Sequence, residues 1–351
     1  MNLIRKTLLL SLIFIFCIFN VFVCKDDSVA PQPGNSAQEI EATLESLEKI
    51  ENYPFYTMTY FGDYGFDEYL LTGSSYPGAE NYPLEKNYQD KIEGLFSKAA
   101  CTCFAAMGTS KSKVFGRNFD FNHRATLLLF TNPPDAYASV AMVDMYYCGY
   151  DGAQSLATLK EREILLQTPH LPFDGMNEHG VTIGMMAVPY SEPPYDPKKV
   201  TIYELAVIRL VLDYAKTTDE AVSLIEKYNV AVGSIPVHFL IADPSGQSAV
   251  IEFVNGKMEV IRNSEPWQVS TNFIIHGSKA PEQTSCWRYN TAYSDLKKVA
   301  GKITQDHAMT LLNSVSQSNT MWSVVFDMSR KNLLVTVGRN FNNVYQFELK
   351  N

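Results

Sequence analysis

The sequence carries little charge, few cysteines and no dense cationic stretch. Charged residues make up 19% of its 351 positions and apolar ones 46%, against about 25% and 45–50% in ordinary globular proteins. So much apolar material with so little charge excludes a disordered polyelectrolyte. The 29 Lys and Arg against 38 Asp and Glu leave a formal charge of −9. With no Lys/Arg block, that balance argues against gripping a phosphate backbone, so no nucleic-acid partner is expected. Neither C-x-x-C nor H-E-x-x-H occurs, and His123, His170, His179, His238, His276 and His307 lie far apart. A zinc site therefore has no support. No repeat of 20–50 residues appears.

What is present begins with a leader. Arg5 and Lys6 precede Leu8–Val23, an uncharged apolar run of 16 residues. That is short for a membrane span of about 20 residues but suits the core of a secretory signal. The run ends at Cys24, followed by Lys25-Asp26-Asp27 and the Pro/Gly/Ser-rich stretch 28–36. This anatomy resembles a bacterial lipoprotein, in which Cys24 would be lipidated and would attach the chain to a membrane. Ordinary cleavage nearby, with Cys24 incidental, is the alternative, and Val23 stands where lipoproteins usually carry a small residue. Either way the chain is expected to be exported, to the periplasm, the outer membrane or the exterior. Setting Cys17 and Cys24 aside leaves Cys101, Cys103, Cys148 and Cys286, too few for a disulfide framework.

Residues 38–52 place Ile40, Leu44, Leu47 and Ile50 at helical spacing, which predicts an amphipathic helix. Residues 53–90 are rich in Tyr, Gly and Pro and read as irregular. From Cys101 the pattern turns to strands, beginning with a hairpin in which CTCFAAM and VFGRNFDF flank a turn at 108–113. Further strands are predicted at 127–131, 139–146, 180–187, 237–242, 248–254, 258–262, 268–274, 322–328, 332–338 and 344–349. Two helices fall within 201–227, the second headed by Thr218, and two more at 287–299 and 304–314. Strands grouped at both ends with helices between them predict an α+β architecture.

The hairpin places chemistry together. If Met107 pairs with Val114, Cys101 lies opposite Asp120, whose carboxylate could reach the backbone nitrogen of Cys101. Arg117 then falls on the other face, and joins them only through a bulge, for which Gly116 is the candidate. A thiol needs a cation or a base beside it to act as a nucleophile. No His lies in the hairpin strands, but cutting the Ala100–Cys101 bond would free an α-amine of pKa about 8 beside the sulfur. One residue would then supply nucleophile and base together.

The segment 101–121, CTCFAAMGTSKSKVFGRNFDF, resembles the mature N-terminus of the cysteine N-terminal-nucleophile hydrolases. That superfamily holds the choloylglycine hydrolases, penicillin V acylases, acid ceramidase-like amidases and an acyltransferase group. Its catalytic Cys precedes the Arg of a G-R-[NT]-x-D motif by 16 residues and the Asp by 19. Cys101, Arg117 and Asp120 satisfy both spacings and Cys103 does not. Asp174-Gly175-Met176-Asn177-Glu178-His179-Gly180 is similar to the family's D-G-x-N-E-x-G turn, with Asn177 kept here as structural. Asn272 matches its oxyanion Asn and Arg288 its later active-site Arg. Residues 322–327, WSVVFD, match a strand of the acyltransferase-like branch. Position 187, Asn in bile salt hydrolases, is Ala here, leaving only a backbone N–H to donate.

The resemblance implies a four-layer αββα N-terminal-nucleophile fold that needs no metal or organic cofactor. It implies a signal at 1–24, a linker and pro-segment over 25–100, and a catalytic domain over 101–351. The expected reaction is hydrolysis of a linear amide, on a small N-acyl amide of bile-salt or penicillin V type, with self-cleavage before Cys101. Cys101 would attack, Arg117 would favour the thiolate, and Asp120 would orient the amine. The Asn272 Nδ2 and the Ala187 N–H would hold the oxyanion. Relatives often assemble, so a homo-oligomer is compatible. Three alternatives stay open: an acyltransferase, a Cys-His hydrolase using His238 or His276, and a non-catalytic surface lipoprotein that binds a ligand. A second G-R-N-F at 338–341, lacking a Cys at the matching distance, reads as a strand end or turn.

Overall fold

The computed structural model describes residues 35–73, 100–109, 111–122, 125–233, 235–281 and 283–349. The leader, Cys24 and the stretch 74–99 lie outside the described residues.

The chain enters with α1 (Ala37–Glu45), started by a capping box in which Ser36 and Glu39 satisfy each other's backbone N–H. The expected helix over 38–52 stops early, and its second half becomes β1 (Glu48–Glu51), paired with β2 (Phe55–Tyr60). The cause is tertiary: the Ser46 hydroxyl lies against the Thr43 and Thr59 carbonyls and accepts the Thr59 N–H, so the chain turns onto β2. The stretch from 53 onward also holds α2 (Phe66–Thr72) rather than irregular chain alone.

From residue 100 come β3 (Ala100–Ala106), β4 (Val114–Asp120), β5 (Thr126–Thr131) and β6 (Ser139–Asp144), then β7 (Pro172–Asn177) and β8 (Thr182–Ala187). Strand β7 was not expected, because 174–180 read as a turn; only its end turns. Short β9 (Thr201–Tyr203) leads to α3 (Glu204–Tyr214) and α4 (Thr218–Ile225). The cap of α4 is Thr217, whose side chain accepts from Glu220 N, one residue earlier than expected. Then follow β10 (Asn229–Ala231), β11 (Val237–Ala242), β12 (Ser248–Val254), β13 (Lys257–Arg262) and β14 (Trp267–Ser270). The chain closes with α5 (Trp287–Lys298), α6 (Gln305–Ser314), β15 (Thr320–Asp327), β16 (Asn332–Val337) and β17 (Tyr345–Glu348). The second G-R-N-F falls on the turn after β16, where Gly338 and Arg339 both have positive φ.

Among the described residues, two large sheets form. One has nine strands in the order β1-β2-β5-β6-β7-β8-β11-β12-β13, the other six in the order β14-β3-β4-β15-β16-β17. Helices α3 and α4 cover the outer face of the first, α5 and α6 that of the second, and the sheets face each other. This is the expected α+β, αββα layering. Strands β6, β7, β8, β11 and β12 are buried along their whole length, as strands covered on both faces must be. Helix α3 is buried almost all round, and its charged Arg209 and Asp213 pair with each other at 2.9 Å.

Candidate active site

The β3–β4 ladder is regular and its register corrects the sequence reading. Ala106, not Met107, faces Val114, so Cys101 lies opposite Phe119 and Ala100 opposite Asp120. Met107 is drawn out of the pairing because its N–H donates to the Pro266 carbonyl (2.8 Å), and the next N–H, of Gly108, donates to Gly301 (3.0 Å). A Cβ on Gly108 would sit 2.2 Å from the Ala300 carbonyl, so only glycine permits this anchoring. The one-residue shift moves Arg117 opposite Cys103. It therefore shares the face of Cys101 with no bulge. Gly116 serves another purpose: a Cβ there would meet the Phe104 ring at 2.3 Å.

Arg117 is fully buried between the sheets. Its Nε donates to Asp174 Oδ2 on β7 at 2.8 Å and its Nη1 to Cys103 Sγ at 3.3 Å. Trp322 Nε1 also donates to Asp174 Oδ2, at 2.9 Å, while its ring stacks on Phe119 with centroids 4.1 Å apart. Burial works against the Arg117 charge, but Cys101, Cys103 and Asp174 outweigh it and raise its pKa. Gly184 leaves room for this packing, since a Cβ there would touch Arg117 Cδ and Cys103 Sγ at 3.1 Å. The Cys103 thiol is pushed up to about 12, chiefly by burial, which keeps it protonated.

Cys101 is held through both of its backbone polar groups. Its N–H donates to Asn272 Oδ1 at 2.6 Å, not to Asp120, which the expected register would have let reach it. Its carbonyl accepts from Arg288 Nη1, and Arg288 Nη2 donates to Asn272 Oδ1 at 2.9 Å. Asn272 Nδ2 donates to the Ala187 carbonyl at 2.8 Å. In a strand the N–H and C=O of one residue face the same edge. Val188 N donates to Pro236 O, so Ala187 and Val237 form a non-bonded pair and the Ala187 N–H points away from β11, on the Asn272 side. Asp120 accepts from the Thr320 hydroxyl through Oδ1, while its buried Oδ2 has no hydrogen-bond partner among the described residues. Burial raises the Asp120 pKa to about 6, with the Thr320 bond and the charges of Arg288, Arg117 and Arg339 opposing it.

Cys101 and Asp120 line a small cleft walled by Phe119, Phe121, Tyr147 and Phe173. The structure thus brings Cys101, Asp120, Ala187, Asn272 and Arg288 to one place, with Arg117 beneath them in the same ladder. Asn177 is structural: its side chain bonds the carbonyls of Leu212 and Ala215 and the N–H groups of His179 and Val181.

Behind Asn272 lie Glu252, which the sequence reading missed, and His238, which it named only as a possible base for a thiol. His238 on β11 and Glu252 on β12 face each other, with His238 Nδ1 and Glu252 Oε1 2.9 Å apart. His238 Nε2 lies 2.7 Å from the Thr271 carbonyl, and the two Glu252 oxygens accept the N–H groups of Ile275 and His276 at 2.8 Å. Together they clamp the turn that presents Asn272. The signal was available: a His and a Glu each interrupt an otherwise apolar strand, and two such interruptions on neighbouring strands are best satisfied by each other. Among the described residues neither His238 nor His276 pairs with a thiol, His276 Nδ1 lying 3.6 Å from Glu259. Among the described residues no cluster of His, Cys, Asp and Glu could hold a metal ion.

The family described as linear amide C-N hydrolases, choloylglycine hydrolase family, matches residues 101–276. The penicillin V acylase of Pectobacterium atrosepticum is 34% identical over 111 residues, a stretch that spans 28% of this chain and 29% of that protein. A crystal structure of a variant of the conjugated bile acid hydrolase from Clostridium perfringens superposes with a TM-score of 0.52 at 15% identity, over 71% of this chain and 92% of that one. Penicillin V acylase from Agrobacterium tumefaciens superposes with a TM-score of 0.50 at 20% identity, over 71% of this chain and 86% of that one. At such identities the superpositions speak to the fold alone.

Proposed function

Because this chain belongs to the choloylglycine hydrolase family of linear amide C–N hydrolases, we propose that it cleaves an amide joining an apolar acyl group to an amine, with Cys101 as an N-terminal nucleophile. The observation that carries this reading is the setting of the Cys101 backbone nitrogen, which lies inside the polar ring on Asn272 Oδ1 rather than in a ladder. A side-chain nucleophile gains nothing from having its own amide nitrogen so placed. A nitrogen that must become an amine and move protons gains much.

The first step is self-cleavage. Cys101 Sγ attacks the Ala100 carbonyl carbon, the C–N bond breaks, and the acyl group passes from nitrogen to sulfur. Water then hydrolyses the thioester, releasing the Ala100 carboxylate, the thiol and a free α-amine. The unpartnered Asp120 Oδ2 supplies the acceptor that the added N–H of that amine requires.

In turnover the amine takes the thiol proton as Sγ attacks the substrate carbonyl, and the buried Arg117 charge favours the thiolate. Asn272 Nδ2 has two hydrogens and one is on the Ala187 carbonyl. The second, with the Ala187 N–H, faces the developing oxyanion, such donors each contributing roughly 3 kcal/mol to the transition state. The amine protonates the leaving nitrogen, and water, activated by the same amine, releases the acid from sulfur. The aromatic walls Phe119, Phe121, Tyr147 and Phe173 suit an apolar or aromatic acyl group. Export by residues 1–24 and a lipid on Cys24 complete the proposal.

A panel of fluorogenic N-acyl amides tests it. Hydrolysis of aromatic or long-chain acyl amides, lost in Cys101→Ala and blocked by a thiol-reactive acyl analogue attached to Cys101, is the expected result. Undiminished turnover by Cys101→Ala would remove the nucleophile from the scheme.

A further inference from the structure

Residues 35–73 precede the proposed cut, yet they are built into the body of the fold. We propose that they are not shed: once the backbone before Cys101 is cut, this segment stays as a permanent, non-covalently bound chain of the mature protein. The need for a cut rests on the proposed function, but the retention of the segment stands on its own contacts.

Those contacts reach both sheets. Strand β2 pairs in parallel with β5 along its whole length, from Phe55 opposite Thr126 to Tyr60 opposite Thr131, and β1 extends the sheet beyond it. Without β2, the apolar strand β5, whose Leu127, Leu128 and Leu129 are fully buried, would become a bare sheet edge. On the other layer, the Phe55 ring packs against Tyr345 and Phe347, and Tyr345 donates its hydroxyl to Glu51 at 3.0 Å. The Tyr53 ring lies so close over Gly338 that a Cβ there would meet it at 2.5 Å.

Polar anchors make the attachment specific. The Tyr64 hydroxyl donates to the buried Asp213 carboxylate at 2.8 Å, and the Tyr64 carbonyl lies 2.8 Å from His170 Nε2. Arg162 Nη1 donates to the Leu44 carbonyl at 2.8 Å, and the Tyr56 and Tyr150 hydroxyls meet at 2.9 Å. Leaving would strip Asp213, already paired with Arg209 inside α3, of its second partner and expose that pair. Phe55, Met58, Tyr60, Tyr64 and Phe66 are each at most 2% exposed. A segment that lends a sheet neighbour, core aromatics and the cap on a buried ion pair is a subunit rather than a removable cover. If Cys24 carries a lipid, the anchor would hold the catalytic chain through this docking, with no covalent link.

The test uses the full chain twice. The native protein is purified, and its chains are identified by denaturing and native mass spectrometry. Separately, a specific-protease sequence is inserted between Glu85 and Lys86 of Cys101→Ala, and the purified protein is cut there. The expected result is that the fragment holding residues 35–73 co-elutes with the remainder in size exclusion in both cases. It should separate only at the urea concentration where the whole protein unfolds. Release of the segment in plain buffer, with the remainder eluting alone, would overturn the proposal. A native preparation that stays one uncut chain would instead count against self-cleavage, and the protease-cut variant would still decide retention.

Discussion

Arg117 and Asp174 permit a test that separates what holds the protein together from what makes it reactive. Both side chains are fully buried and 2.8 Å apart. Replacing Asp174 by Ala strands the guanidinium between two sheets, and breaking one side of such a pair costs about 3–5 kcal/mol. For a chain of this size that lowers the melting temperature by on the order of 10 °C. Replacing both, Arg117→Met with Asp174→Leu, removes the stranded charge, and apolar residues of similar volume in place of a buried pair are often neutral or better. Stability should therefore return in the double variant, read by calorimetry or thermal circular dichroism. Activity should not return, because the cation buried beneath Cys101 has gone. A stable double variant with full amidase activity would refute the role given to Arg117. An Asp174→Ala protein as stable as the parent would refute the account of the pair.

Further outcomes follow from the same geometry. Cys101→Ala should abolish processing and turnover together, while Cys103→Ala, which removes a thiol already held near pKa 12, should spare much of both; mass spectrometry with a fluorogenic amide reads each. The Asp120 carboxyl, raised to about 6, is ionised above that pH and neutral below it, so kcat/KM should fall as pH drops through 6. A profile flat from pH 5 to 8 would remove Asp120 as the partner of the amine. The same shift has a stability sign: a folded pKa above the unfolded value of about 3.9 means the ionised group opposes folding above pH 6 and ceases to below about 4. Glu252→Ala unclamps the turn before His276 and should lower kcat by about 10-fold or more with KM little changed, with Glu252→Gln recovering part of the loss; a wild-type kcat in both would show that the clamp does not position Asn272.

Much of the site could be found before any coordinates because chain spacing along one hairpin is preserved by folding. The 16- and 19-residue intervals from Cys101 to Arg117 and Asp120 match the family's motif, and those from Cys103 do not, whatever the register. The register itself could not be found so, since the turn is closed by Pro266 and Gly301, more than 150 residues away in sequence. That single shift decides which residues share a face, and it is why Arg117 arrives beside the sulfur while the Cys101 nitrogen goes to Asn272. Local periodicity likewise placed α3, α5 and α6 to within a few residues but ran α1 through Ser46, where contact with Thr59 ends the helix. Glu252, and the structural role of His238, stayed hidden because they lie in the two side chains facing each other across β11 and β12, a pairing that apolar patterning alone does not assign.

The N-terminal residue of the active species tests the central claim most directly. Protein purified for its amidase activity, sequenced from the N-terminus and weighed intact, should hold a chain that begins at Cys101 with a free amine. A fully active preparation in which that nitrogen is still joined to Ala100 would contradict the account.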